Sequence, residues 1–252
     1  MTATELDRDI GLGGAVSLGV GSMIAAGIFV LSGVAVGKVG AMAIVSFLLA
    51  AFAAGVTALS YAEFVGLYPE SGGGYAYVAN VFDSDLTYVV GWAMIIGYPA
   101  SAAFYLASFS EWAHRFLLPA LEMGAAVPYW TLGTGVLGLL LVLNLLGSRE
   151  SGVFQILTTA LKIVLIGVFL WGTLSAFDPA IVAESVRENT GTLADFRSIA
   201  LTSGLVFVTF FGFEAIATNA EEIKRPERTV PRAILISLAS VFVIYVLIVI
   251  AM

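Results

Sequence analysis

Two ionisable residues stand inside long apolar stretches of the sequence, Lys162 and Glu214. Lys162 follows Thr158 and Thr159 and precedes an apolar run, while Glu214 follows phenylalanines interrupted by Gly212. If such a stretch crosses a bilayer, a charge near its centre costs about 2.5–3.5 kcal/mol, so ionisable residues there commonly mark ion or proton pathways. Plainer alternatives stay open. Lys162 can extend to the membrane surface, and Glu214 can accept hydrogen bonds from neighbouring helices.

Small residues interrupt two of the apolar stretches. One contains Gly19, Gly21, Ser22 and Gly27, and the other places Gly212 beside Glu214. An interior glycine costs a helix about 1 kcal/mol relative to alanine, so we predict that both helices unwind there. Free amides at the start of a half-helix can hold a carboxylate, and free carbonyls at the end of another can hold an ammonium. The pair therefore predicts a receptor for a zwitterion. The alternative is that these glycines only allow helices to pack closely.

Other chemistries find little support in the sequence. The chain has no cysteine and a single histidine, His114, so thiolate metal sites and imidazole catalysis are not expected. Gly72–Gly74 is predicted to be a loop rather than a phosphate cradle, because no basic residue stands nearby. The net charge of −7 has the wrong sign for nucleic acid binding. We expect no enzymatic activity, no cofactor, no metal and no nucleic acid partner.

The composition is that of a membrane protein. Of the 252 residues, 60% are hydrophobic and 12% are charged, and the mean hydropathy is +0.99. A soluble domain carries about 25% charged residues, and half that charge cannot cover a globule of this size. Seven stretches, which we call spans 1 to 7, are long and apolar enough to cross a bilayer as helices. They cover approximately 11–37, 41–67, 86–110, 129–147, 152–177, 198–219 and 233–252. We predict an all-α, polytopic helix bundle in a lipid bilayer.

The distribution of lysine and arginine sets the expected orientation. With a cytoplasmic N-terminus, the inner connections hold Arg8, Arg149, Lys224, Arg225, Arg228 and Arg232, and the outer ones hold Lys38, Arg115, Arg187 and Arg197. The inner excess is modest and comes mainly from residues 220–232. We therefore predict a cytoplasmic N-terminus at residues 1–10 and an extracellular loop at residues 178–197.

Four segments of the sequence carry a family resemblance. Residues 21–29 (GSMIAAGIF) match a first-helix motif, and residues 58–63 (ALSYAE) with 68–77 (YPESGGGYAY) match the end of a second helix and its loop. Residues 148–151 (SRES) and the later Lys162 match a fifth helix, and residues 207–214, 220–222 and 226–231 match a sixth helix with the loop after it. In this order, the segments resemble the amino acid–polyamine–organocation (APC) permeases over nearly the whole chain.

The resemblance implies a fold in which spans 1–5 pair with an inverted copy beginning at span 6, with spans 1 and 6 broken. Residues 11–177 would form the first repeat, and residues 198–252 the start of the second. Since these permeases usually have about twelve spans, we interpret the chain as an N-terminal part; a complete seven-helix protein that dimerises is the alternative. Two positions depart from the pattern. Ala25 replaces a glycine, which predicts a turn less free to unwind, and Arg225 replaces an asparagine.

By resemblance, we expect a secondary active transporter of amino acids in the plasma membrane, proton-coupled and working by alternating access. The predicted substrate-binding residues are Met23, Ile24, Ala25, Ala26, Gly27, Phe207, Val208, Phe210, Phe211 and Gly212, with Phe207 or Phe210 as a gate. Lys162 and Glu214 are the predicted proton-coupling residues, because desolvation favours a neutral lysine and the family's Lys162 counterpart replaces a sodium ion between helices 1 and 5. A non-transporting scaffold or subunit and a channel-like conductor of a small solute remain alternatives.

Overall fold

The computed structural model describes residues 8–82, 84–122, 127–146, 148–174, 178–188 and 191–252. Over these residues the chain is helical, and β-structure is limited to a single bridge between Ile10 and Ile223. Most of the predicted N-terminal segment, residues 1–7, lies outside the described residues, as do residues 189–190 of the predicted extracellular loop.

Twelve α-helices follow one another along the described residues. They are α1 (Leu12–Met23), α2 (Ala26–Val39), α3 (Ala43–Leu67), α4 (Gly74–Val81), α5 (Ser84–Trp112), α6 (Leu118–Ala120), α7 (Tyr129–Leu146), α8 (Ser148–Leu174), α9 (Pro179–Glu188), α10 (Leu193–Phe207), α11 (Glu214–Thr218) and α12 (Pro226–Ala251). Short 3₁₀ turns lie at Gly40–Met42, Val208–Phe210 and Ala220–Glu222, and a π-helical turn lies at Ala113–Leu117.

In the part of the chain that the structure describes, five helical stretches are long and apolar enough to cross a bilayer: Gly27–Leu67, Ser84–Ala120, Val153–Thr173, Asp195–Thr218 and Pro226–Ala251. The first of these contains α2 and α3 joined through a 3₁₀ turn. Two shorter apolar helices lie at Leu12–Met23 and Tyr129–Leu145. The predicted all-α, multi-pass membrane helix bundle is confirmed.

The chain divides into two compact units, one containing the residues up to Phe82 and from Thr158 onward, and the other Asp83–Leu157. In the larger unit α3 is central, because α10 and α12 both pack along it and α1 packs along α12. The Ser46 hydroxyl on α3 donates to the Ile199 carbonyl on α10 at 3.0 Å. In the smaller unit, α5 packs against α7, and the Tyr129 hydroxyl donates to the Ala107 carbonyl at 3.1 Å.

The last helix begins earlier than its apolar stretch predicts. Span 7 was expected to start near residue 233, but α12 starts at Pro226. Proline suits the first helical position, since it has no amide hydrogen to leave unpaired and its φ is already helical. Arg225 precedes it in a left-handed conformation, with φ 51°. Residues 226–232 of the expected loop 220–232 therefore form the first turns of α12, which hydropathy alone does not detect.

Candidate functional site

Span 1 is broken at Ile24 and Ala25. Helix α1 ends at Met23, Ile24 has φ −75° and ψ 80°, and Ala25 is extended with φ −126° and ψ −169° before α2 begins at Ala26. The predicted break in span 1 is confirmed. Ala25, in place of a glycine, was expected to make this turn less free to unwind. The helix is nevertheless broken at Ala25, because extended backbone is open to any residue and needs no glycine. Gly19 was also expected to loosen the helix, but it lies inside α1, where it packs against Ile216 and Ser237.

Span 6 is broken between Phe207 and Glu214. Helix α10 ends at Phe207, a 3₁₀ turn covers Val208–Phe210, and Phe211 is extended. Gly212 then adopts φ +128°, a conformation that favours glycine because a Cβ atom there is strained. The predicted break in span 6 is confirmed, with its reversal at Gly212.

The two breaks interlock through one glycine each. A Cβ atom on Gly27 would lie 3.3 Å from the Cα of Thr209, and one on Gly212 would lie 2.8 Å from the backbone carbon of Ser22. Each break therefore rests directly on the backbone of the other. A Cβ atom at Gly212 would force a shift of the Ser22 backbone, and one at Gly27 would require Thr209 to move by a few tenths of an ångström. This close approach brings the start of α2 next to the end of α10.

Lys162 caps a carbonyl that the first break releases. In an unbroken helix the Ala25 amide would donate to the Gly21 carbonyl, four residues earlier. Here the Ala25 amide donates to Met23 at 2.9 Å, and the Lys162 Nζ lies 3.0 Å from the Gly21 carbonyl oxygen. Lys162 is half-buried on α8 and contacts helix α1 directly, rather than extending away toward a membrane surface.

Two residues that complete this junction, Thr209 and Tyr245, are not among the site residues predicted from the sequence. The buried Thr209 packs on Gly27 and donates its hydroxyl to the Val206 carbonyl at 2.6 Å. The hydroxyl of Tyr245, on α12, lies 2.6 Å from the Met23 carbonyl oxygen and 2.8 Å from that of Thr209. Tyr245 stands among aliphatic residues of span 7, and nothing in that pattern distinguishes it from a packing residue.

The predicted site residues differ in their surroundings. The buried ones are Met23, Ile24, Gly27, Phe210 and Glu214, and the half-buried ones are Ala25, Lys162, Phe207 and Gly212. The exposed ones are Val208 and Phe211, and Ala26 is the first residue of α2. The Phe210 ring packs 5.1 Å from that of Tyr245 and 6.4 Å from that of Phe47. Phe210 is therefore a core residue in this conformation, which leaves Phe207 as the freer gate candidate.

Glu214 is the first residue of α11 and is only 8% exposed. The ring of its neighbour Phe213 meets the Tyr61 ring edge-on, 5.5 Å away, and Tyr61 in turn meets Tyr77 at 5.5 Å. A carboxylate at a helix N-terminus is favoured by the helix dipole. Glu214 therefore begins the short helix after the second break, and its neighbour Phe213 packs on an aromatic cluster formed by Tyr61 of α3 and Tyr77 of α4.

Two backbone contacts fasten the segment that follows α11. The Ile10 amide donates to the Glu222 carbonyl at 3.0 Å, and the Lys224 amide donates to the Ile10 carbonyl at 2.9 Å. In the loop before α4, the Ser71 amide donates to the Glu221 Oε1 at 3.0 Å. The residues before α1 and the loop after α3 are thereby both tied to residues 221–224.

Comparisons with known proteins agree with these features. The amino acid permease family profile matches residues 10–252. The chain is 30% identical to the branched-chain amino acid permease BcaP of Lactococcus lactis, over 91% of this chain and 52% of that protein. It is 32% identical to the chloroplastic cationic amino acid transporter 9 of Arabidopsis thaliana, over 96% and 44%, and 29% identical to the methylthioribose transporter of Bacillus subtilis, over 91% and 51%. The chain spans about half the length of these relatives. This chain belongs to the amino acid permease family.

Proposed function

We propose that this chain carries the substrate-binding helices of a secondary active transporter of amino acids. The observation that carries the proposal is the interlocking of the two helix breaks at Gly27 and Gly212. Broken helices that face each other within a membrane bundle offer unpaired backbone groups to a polar solute where apolar side chains offer none. Family membership and the printed names of the relatives support an amino acid as that solute.

The carboxylate of the amino acid is assigned to the first turn of α2. The amides of Ala26 and Gly27 have no partner within that helix, and the positive end of its dipole favours an anion. The ammonium is assigned to carbonyls of the second break. Val208 already accepts from the Phe211 amide and Thr209 is engaged by Tyr245, so we assign the Phe210 and Phe211 carbonyls to the ammonium.

Proton coupling is assigned to Lys162 and Glu214. A protonated amine is a stronger donor than a neutral one, so the charge on Lys162 affects how well the Gly21 carbonyl is satisfied and how stable the break in span 1 is. Loss of the proton then changes the balance between two conformations of the transporter. Glu214 lies beside the second break, where a carboxylate can exchange a proton in the same cycle.

Alternating access requires that the path to the binding site open to one side at a time. We assign the side of residues 221–224 to the cytoplasm, with the N-terminus there and the protein in the plasma membrane. The contacts of Ile10 and Ser71 with this segment support a conformation closed on that side. The proposed cycle breaks these contacts when α11 moves away.

The experiment is uptake of radiolabelled amino acids by proteoliposomes that contain the full-length protein. We expect uptake that saturates with at least one amino acid, is driven by an inward proton gradient, and is unchanged when choline replaces sodium. Flux that does not saturate would support a channel, and absence of flux for every amino acid would support a scaffold or subunit. Either result would contradict the proposed function.

A further inference from the structure

We propose that Tyr245 is a positioning residue of the amino acid site, whose hydroxyl holds the two helix breaks at a fixed separation. The inference rests on the proposed function, because it concerns the backbone groups assigned there to the substrate. Tyr245 comes from α12, a helix without a break at this level and outside the predicted site. Its side chain is fully buried, with 0% exposed.

The ring of Tyr245 packs in a cluster of three aromatic rings with Phe47 and Phe210. It lies 5.9 Å from the Phe47 ring at 75° and 5.1 Å from the Phe210 ring at 58°. Edge-on and tilted aromatic pairs at these separations add to the free energy gained by burial. The ring therefore has little freedom to turn, and its hydroxyl occupies one defined position.

That position lies between two carbonyls released by the breaks. In unbroken helices the Met23 carbonyl would accept from the Gly27 amide, and the Thr209 carbonyl from the Phe213 amide. Neither of these bonds forms at the breaks. The Met23 carbonyl accepts instead from the Ala25 amide at 2.9 Å, and a carbonyl oxygen has a second lone pair for a side-chain donor. The Tyr245 hydroxyl lies 2.6 Å from the Met23 oxygen and 2.8 Å from the Thr209 oxygen, so its single proton serves both acceptors.

Sharing one donor limits how far the breaks can separate, because each carbonyl oxygen must stay within hydrogen-bond distance of the same atom. Met23 ends α1 just before the break, and Thr209 is the residue on which Gly27 packs. The spacing between the α2 amides assigned to the carboxylate and the Phe210 and Phe211 carbonyls assigned to the ammonium depends on the same two segments. The hydroxyl thus preorganises a site that it does not itself line.

Ser237 provides a matched control on the same pair of helices. Its hydroxyl, also buried on α12, donates to the Val16 carbonyl of α1 at 3.2 Å, in a continuous part of α1. The variants Tyr245→Phe and Ser237→Ala each remove one buried hydroxyl that connects α12 to α1. Only Tyr245→Phe removes a hydrogen bond to the breaks, and it keeps the aromatic ring.

The test is equilibrium binding of the amino acid transported by the wild type to purified full-length variants. Loss of one buried donor predicts that the Kd of Tyr245→Phe rises about tenfold, while that of Ser237→Ala stays within about twofold of wild type. The substitution Tyr245→para-aminophenylalanine, whose amino group offers a donor to each carbonyl, is expected to restore wild-type affinity. It serves as the test variant if Tyr245→Phe does not fold.

Three results would overturn the inference: unchanged affinity in folded Tyr245→Phe, equal losses in both hydroxyl deletions, or failure of para-aminophenylalanine to support binding. Unchanged affinity in the presence of wild-type transport would leave the proposed function intact and remove only the role of Tyr245. Absence of amino acid binding by the wild type would reject both.

Discussion

The Lys162 Nζ lies 3.0 Å from the carbonyl oxygen of Gly21. That carbonyl lacks its helical donor because the Ala25 amide turns back to Met23. Lys162 and the break in span 1 therefore form one structural unit, in which a side chain of α8 replaces a backbone hydrogen bond of α1. A change in the charge or length of this side chain is expected to act on the break directly.

Replacing Lys162 by alanine leaves the Gly21 carbonyl without this donor and removes the proposed proton carrier. We expect Lys162→Ala to lose accumulation driven by a proton gradient while keeping exchange of labelled for unlabelled amino acid. Lys38→Ala is the control, since Lys38 is exposed in the last turn of α2. Both activities are measured in proteoliposomes with an imposed pH step, and unchanged proton-driven uptake by Lys162→Ala would contradict the coupling role.

Glu214→Gln tests the second coupling residue with a side chain of almost the same shape. If both Lys162 and Glu214 exchange protons, each contributes to the pH dependence of uptake. Glu214→Gln should then lose the contribution of Glu214 and keep that of Lys162. If the carboxylate only accepts hydrogen bonds at the start of α11, the variant should be less stable with an unchanged pH profile. Comparing the pH profile of uptake by wild type with that of Glu214→Gln therefore decides between these roles.

Gly212→Ala is expected to destabilise the protein. A φ of +128° is unfavourable for alanine, and the new Cβ would lie 2.8 Å from the Ser22 backbone carbon. Backbone strain of this kind costs about 1–3 kcal/mol. Gly204→Ala is the matched control, because nothing lies within 4 Å of its Cβ position in α10 and alanine is the better helix former. Thermal unfolding followed by tryptophan fluorescence should show a lower Tm for Gly212→Ala alone; equal Tm values would argue against the interlocked breaks.

Glu221→Ala removes the acceptor of the Ser71 amide and should loosen the segment after α11. Loss of one hydrogen bond is worth about 1 kcal/mol, which corresponds to about fivefold in the equilibrium between closed and open forms. The chain contains no cysteine, so a Thr218→Cys reporter beside Gly73 can be labelled with an impermeant maleimide. We expect faster labelling in Glu221→Ala but not in Glu222→Ala, whose contact with Ile10 uses the backbone. Equal labelling rates in the two variants would refute this role for Glu221.

Much of the fold could be predicted from the sequence. The length of an apolar stretch indicates a membrane span, and glycines that interrupt such a stretch indicate a break in its helix. The reversal at Gly212 follows from a conformation that glycine alone adopts easily. The position of the first break did not follow, since extended backbone at Ala25 has no residue requirement. The prediction for Gly19 was wrong because the sequence does not distinguish a glycine that loosens a helix from one that leaves room for a neighbouring side chain, here that of Ile216.

Contacts between side chains of different spans could not be predicted from the sequence. Tyr245 faces the breaks only because α12 packs along α1 and α3, and one face of an apolar helix cannot be distinguished from another by composition. Phe210 is one of two residues, with Phe207, that the sequence offers as a gate because of its place near the break, but packing against Phe47 and Tyr245 places it in the core. Pairings that depend on helix rotation require the structure.

The central claim is that the amino acid binds at the two interlocked breaks. Substitution of Gly27, whose amide is assigned to the substrate carboxylate, tests this claim most directly. The measurement is the Kd of radiolabelled amino acid for full-length Gly27→Val, compared with Gly37→Val, which lies in the same helix with nothing within 4 Å of its Cβ position. Because a side chain at position 27 would meet Thr209 at 3.3 Å, we predict no detectable binding to Gly27→Val, intermediate affinity for Gly27→Ala, and wild-type affinity for Gly37→Val. Wild-type affinity in folded Gly27→Val would contradict the claim.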